Sequence, residues 1–185
     1  SYVAENGVYI RQKKVTRQYA ELMITTSCRN QEELTVKTSI ISPRGTIAAE
    51  KETAAAPGNA VCTQLFSLEE PCLWSVASPC LYEVITRLYN KEGVLMDEVH
   101  TRTGLRSAVF DKDRGFLLNG EQVKINGVCI HHDGGCMGAA VPLQIWKRRL
   151  EKLKEMGANS IRMSHNPPDP GLLELCDEMG FLVMD

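Results

Sequence analysis

Two short stretches hold most of the side chains able to do chemistry. One is Val128-Cys129-Ile130-His131-His132-Asp133; the other is Arg162-Met163-Ser164-His165-Asn166-Pro167-Pro168-Asp169. Three of the chain's four histidines fall in them. This density of imidazole, guanidinium, hydroxyl and amide groups suits a polar ligand. His131 and His132 are adjacent, so in an extended chain they point to opposite sides and would not both ligate one metal. Asp133 and Cys136 are the residues that could complete a site with one of them. The competing reading makes each histidine a structural loop residue, and no metal site is expected. Acid/base chemistry by paired carboxylates needs two of them flanking the reacting bond, about 5–5.5 Å apart in the retaining geometry. Only Asp133, Asp169 and Asp185 stand in suitable loops, and Asp169 reads as a helix cap. No glutamate lies in any of the three loops. By inventory the loops can bind a polar ligand but lack an obvious acid/base pair.

The elements around these loops follow a strand–helix rhythm from Phe116 to Asp185. Asn119-Gly120 between apolar pairs is a tight-hairpin signal. Val123 to Ile130 reads as a strand apolar on both faces, as a buried parallel strand requires. Pro142 to Met156 reads as a helix with Trp146, Leu150, Leu153 and Met156 as its apolar stripe, and Gly157 ends it. Asn159 to Met163 is a short strand. Asp169 caps a second helix with Pro170 at its first position, and Gly180 stops it. Phe181 to Asp185 opens a third strand. Such alternation implies a parallel sheet, with ligands at the C-terminal strand ends. His131, Ser164–Asp169 and Asp185 then converge on one mouth.

Residues 1–107 have a different rhythm. Strands are expected at Val15–Thr26, Leu34–Ile41, Val61–Leu68, Leu81–Tyr89 and Val94–Thr101, with Pro43-Arg44-Gly45 and Lys91-Glu92-Gly93 as turns and Ala54–Asn59 as a break. About seven short strands predict an antiparallel sandwich of the immunoglobulin type. Trp74 reads as a core residue of that sandwich rather than a sugar-stacking platform, and His100 as solvated. The domain boundary is placed between residues 107 and 108.

Composition excludes more than it assigns. The 185 residues carry a formal charge of −2 and are 43% hydrophobic, so nothing in the charge argues for nucleic acid or an anionic membrane. No apolar run reaches the ~20 residues a membrane helix needs. The N-terminal residues lack a signal peptide's features, and a cytoplasmic or a periplasmic location stays open. The seven cysteines show no Cys-x-x-Cys spacing. They read as small buried residues of a reduced protein.

Several motifs resemble glycoside hydrolase family two, the β-galactosidase and β-glucuronidase family, over nearly the whole chain. Leu73-Trp74-Ser75, Pro79-Cys80-Leu81-Tyr82 and Gly104-Leu105-Arg106 are similar to its immunoglobulin-like sandwich. Phe116-Leu117-Leu118-Asn119-Gly120 through Lys124-Ile125-Asn126-Gly127-Val128 is similar to its passage into the catalytic barrel. Gly157 through Pro168 and Leu175 through Asp185 are more specific matches. The resemblance implies a sandwich over 1–107, followed over 108–185 by the first part of a (β/α)8 TIM barrel truncated in strand three. It implies retaining hydrolysis of terminal β-linked sugars, with β-galactosides as substrate. His131 and His165 match histidines that meet the sugar, Arg162 matches an arginine that positions carboxylates, and Asp185 matches the aspartate closing strand three. One departure is Cys129-Ile130-His131-His132, where many members read Asn-Arg-His-Glu. The family's acid/base and nucleophile glutamates would lie beyond Asp185, so no catalytic residue is expected here. Members often use magnesium or sodium near the site, but no ligands for either are identified in this chain. An alternative is a non-catalytic module binding carbohydrate or a protein. An open set of barrel strands also predicts self-association or incomplete order after about residue 110.

Overall fold

The structure, a computed structural model, describes residues 1–184. The chain divides into two compact units, one of Ser1–Leu73 with Cys80–Ser107 and one of Trp74–Pro79 with Ala108–Asp185.

The first unit has seven strands: β1 (Tyr2–Val15), β2 (Tyr19–Asn30), β3 (Leu34–Ile41), β4 (Ile47–Ala55), β5 (Gly58–Glu69), β6 (Tyr82–Tyr89) and β7 (Leu95–Thr103). They form two antiparallel sheets, β1-β2-β5 and β4-β3-β6-β7. Alternation drives the sandwich. Leu22 and Ile24 of β2, Phe66 of β5, Ile40 of β3 and Val84 of β6 point inward and pack in one cluster. Leu34, Val36, Cys62 and Leu88 pack in a second. Each fully buried side chain of this size contributes about 1.5–3 kcal/mol. Exposed pairs such as Lys37–Glu50 contribute about 0–1 kcal/mol. The inner faces therefore hold the sheets together.

Two strands were not anticipated. β1 is an edge strand whose Arg11-Gln12-Lys13-Lys14 run hides its period, and only Val3 of β1 is buried. β4 is mostly exposed, and its terminal alanines extend the ladder instead of breaking it. His100 is not simply solvated. Its Nδ1 lies 2.7 Å from Glu83 Oε1 and its Nε2 lies 2.8 Å from Glu98 Oε1.

Hydrogen bonds to Glu83 and then Glu98 raise the His100 pKa above 6.5. The stability this gives is fully present below pH 6.5 and is lost as pH rises through the raised value. The bonds from His100 and then Arg87 lower the Glu98 pKa below 4.5. That contribution is present above pH 4.5 and is lost as pH falls through the lowered value. The melting difference between the wild type and His100→Gln should therefore be larger at pH 6 than at pH 9. Equal differences at both pH values would show that the pair adds nothing.

The cysteine expectation needs correcting. Cys72 and Cys80 are joined by a disulfide, and Cys129 and Cys136 are exposed. Only Cys28, Cys62 and Cys176 are buried thiols. Burial pushes the Cys176 thiol up to about 12.

The second unit opens with the antiparallel strands β8 (Ala108–Asp111), β9 (Gly115–Leu118) and β10 (Glu121–Gln122). Asn119 (φ 54°) and Gly120 (φ 83°) make the expected left-handed turn. Next come β11 (Gly127–Ile130), α1 (Leu143–Glu155), β12 (Ser160–Met163), α2 (Pro170–Met179) and β13 (Leu182–Met184). The three strands are parallel in the order β11-β12-β13. β11 is shorter than the expected 123–130 because Asn159 takes over the hydrogen bonding before it. Its Oδ1 accepts from Asn126 N, and its Nδ2 donates to the Lys124 carbonyl. Trp146, Leu150, Ile161, Leu172, Cys176 and Phe181 form the core between helices and sheet. Met156 leaves the predicted stripe and is 77% exposed, because α1 ends at Glu155.

Trp74 is a core residue, but of the second unit. Its indole N–H donates to the Asp177 carbonyl at 2.8 Å, and its own carbonyl accepts from Asn119 Nδ2 at 2.9 Å. Among the described residues no helix is long and apolar enough to cross a membrane.

Candidate functional site

Alternation along the parallel strands sorts their side chains into two faces. Val128, Ile130, Ile161, Met163 and Val183 belong to the helix-covered core. Gly127, Cys129, Ser160 and Arg162 take the opposite face. Register pairs Cys129 with Arg162 directly. Arg162 Nη1 lies 4.0 Å from Cys129 Sγ and 3.5 Å from Ser164 Oγ. His131 follows the end of β11 and lines a small recess together with Met163, Ser164 and Asn166.

The two histidine loops meet at the C-terminal ends of β11 and β12. The His131 and His165 rings lie 5.6 Å apart, edge to face at 69°. Ser164 N donates to the Ile130 carbonyl at 2.9 Å, which locks the second loop to the end of the first strand. His165 then adopts φ 81°, a left-handed conformation uncommon outside glycine, although histidine is among the residues that adopt it more often. Such conformations cost of order 1–3 kcal/mol and persist where the surroundings over-determine them. Here the Ser164 anchor on one side and Pro167-Pro168 on the other hold the turn. Pro168 and His132 line the same small recess beside the His131 ring.

Asp133 is turned to structure: its carbonyl accepts from Arg149 Nη1 at 2.6 Å, and its carboxylate receives Gly135 N at 3.4 Å. Asp169 caps α2 as expected, with Oδ1 accepting from Gly171 N. Asp185 lies outside the described residues. On the far side of His131, a groove of about 700 Å³ runs between β11 and α1, lined by Val128, Ile130, Ile145, Arg148, Arg149 and Lys152 among others. Among the described residues, no group of three or more His, Cys, Asp and Glu side chains converges to hold a metal ion. The site can therefore donate and accept hydrogen bonds through two imidazoles, a guanidinium and a hydroxyl.

Sequence reading placed Ser164 in a mouth loop and Cys129 in a strand but gave neither a role in the site. The signal for Cys129 was available in the period-two alternation that pairs it with Arg162. The role of Ser164 depends on an inter-strand backbone bond that no local pattern announces.

The chain matches known proteins along both units. The description "Glycosyl hydrolases family 2" matches residues 2–106, and "Glycosyl hydrolases family 2, TIM barrel domain" matches residues 109–185. It is 44% identical over 186 residues to beta-galactosidase BoGH2A of Bacteroides ovatus, covering 97% of the chain and 22% of that protein. It is 31% identical to a beta-glucuronidase of Bacteroides fragilis, covering 97% of the chain and 27% of that protein. A beta-glycosidase structure from Bacteroides vulgatus superposes with a TM-score of 0.92 at 36% identity, covering 100% of the chain and 24% of its own. The chain thus spans about a quarter or less of the length of these relatives.

Proposed function

This chain belongs to glycosyl hydrolase family 2, and on that premise we propose that it is part of a retaining glycosidase acting on terminal β-galactosides. The observation carrying this reading is the meeting of His131 and His165, 5.6 Å apart, in the loops that follow β11 and β12. In the proposal both imidazoles hydrogen-bond hydroxyls of the sugar. Arg162 orients carboxylates, and Asp185 closes the same subsite. The acid/base and nucleophile glutamates come from residues other than these 185. Residues 1–107, apart from Trp74–Pro79, serve as an immunoglobulin-like sandwich, and 108–185 as the N-terminal portion of the (β/α)8 barrel. Galactose is put ahead of glucuronic acid because the relative at 44% identity is a beta-galactosidase, whereas a putative beta-glucuronidase matches at 35%. The unpaired edge of β11 supports self-association of the isolated chain, which sedimentation velocity would detect.

The test uses the chain itself. Purified protein should release no nitrophenol from aryl β-galactosides or aryl β-glucuronides. Added galactose should shift the imidazole resonances of His131 and His165 and leave those of His100 in place. Turnover by the chain alone would overturn the assignment of the glutamates to other residues. A galactose titration that moves neither histidine would overturn the sugar-binding role. Tight glycan binding without turnover in the complete polypeptide would favour a binding module instead.

A further inference from the structure

The interior of the sandwich is interrupted at one level. Along β2 the inward residues run Leu22, Ile24, Thr26, Cys28; along β5 they run Phe66, Gln64, Cys62. Along β3 they run Ile40, Thr38, Val36, and along β6 Val84, Thr86, Leu88. In all four strands the polar residue falls between a member of one apolar cluster and a member of the other. Thr38 and Thr86 face each other directly in register. Thr26 opposes Cys62 and Gln64 opposes Ile24, so Thr26 and Gln64 are diagonal neighbours on one face. The four residues therefore form a single polar layer across the sandwich.

This layer is buried and only half satisfied. Thr26, Thr38, Thr86 and Gln64 are 1%, 0%, 0% and 4% exposed. The Gln64 amide nitrogen is well used, reaching the carbonyls of Val36 and Lys51 and Thr53 Oγ1 at 3.1–3.2 Å. Gln64 Oε1 and the three threonine Oγ1 atoms have no hydrogen-bond partner within the protein. An unmade hydrogen bond on a buried polar atom is unfavourable, so native interiors rarely leave four together. A buried water needs two to four polar partners and typically makes about three hydrogen bonds. Three hydroxyls and one carbonyl at one level match that requirement.

We propose that this layer is a binding site for internal water, with Thr26, Thr38, Thr86 and Gln64 as its ligands. The bound water joins the two sheets where their apolar contacts are interrupted. Swapping one threonine for isosteric valine removes one ligand and its hydrogen bond, and removing all three hydroxyls leaves Gln64 alone, below the number of partners a buried water needs.

Oxygen-17 relaxation dispersion on the intact chain counts long-lived internal waters and is insensitive to hydroxyl exchange. The amplitude should drop by at least one water in the Thr26→Val, Thr38→Val, Thr86→Val triple variant, and Thr38→Val alone should lower the melting midpoint by roughly 4–8 °C. An unchanged amplitude, or a Thr38→Val variant that melts higher than wild type, overturns the proposal: the layer would then be dry. If the triple variant does not fold, a high-resolution crystal structure of the wild type decides. Ordered density within hydrogen-bonding distance of at least three of the four ligands supports the site, and its absence overturns it.

Discussion

Replacing Trp74 with alanine should destabilise the second unit by about 3–5 kcal/mol, the range for truncating a buried aromatic. Most domains have only about 5–15 kcal/mol in total, so this one change should remove roughly a fifth or more of the unit's stability. Trp74 is 0% exposed, so its removal leaves a cavity the size of an indole. It also deletes the donor to the Asp177 carbonyl near the end of α2, where helix carbonyls have no intrahelical partner. Trp74→Phe should recover part of the loss, because it restores most of the apolar volume but not the N–H. Denaturant unfolding read by hydrogen exchange over residues 108–184 checks this. A loss below about 1 kcal/mol, or equal losses for alanine and phenylalanine, would mean the side chain is not the anchor its burial indicates.

Trp74 also marks where the sequence stopped being legible. Its burial could be anticipated, since large apolar residues flanked by turns are usually core. Its membership in the second unit could not, because residues 74–79 sit inside a run whose neighbours on both sides belong to the sandwich. The parallel half was easier to read because its punctuation is local. Asp169-Pro170, Gly157 and Gly180 each fix one helix end through their own chemistry, and the structure puts those ends within a residue or two of expectation. Strand β1 failed for the opposite reason: an edge strand with one buried residue has little apolar period to display. The meeting of His131 and His165 followed from a topological rule, that loops after parallel strands share one end of the sheet. The left-handed backbone of His165 did not, because histidine carries no preference strong enough to announce it.

Gly180→Ala should cost about 2–5 kcal/mol, and Gly157→Ala supplies its internal control. Both glycines end helices at positive φ, 73° and 86°, and both changes place a Cβ in the left-handed region at about 1–2 kcal/mol. Their surroundings differ. A Cβ on Gly157 would meet nothing within 4 Å, whereas one on Gly180 would collide with the Val76 carbonyl. Overpacking of this kind typically adds about 1–3 kcal/mol, and backbone cannot swing aside as a flexible side chain can. The difference between the two variants therefore isolates the seat of the Trp74–Pro79 segment against the end of α2. That segment touches the helix end twice, through the Trp74 indole and through Val76. Gly180→Ala and Trp74→Ala should consequently be non-additive, the double variant losing less than the sum, as expected when two changes release one packed segment. Equal costs at Gly157 and Gly180, measured by denaturant midpoint, would show that Val76 gives way and that the segment is seated by its tryptophan alone.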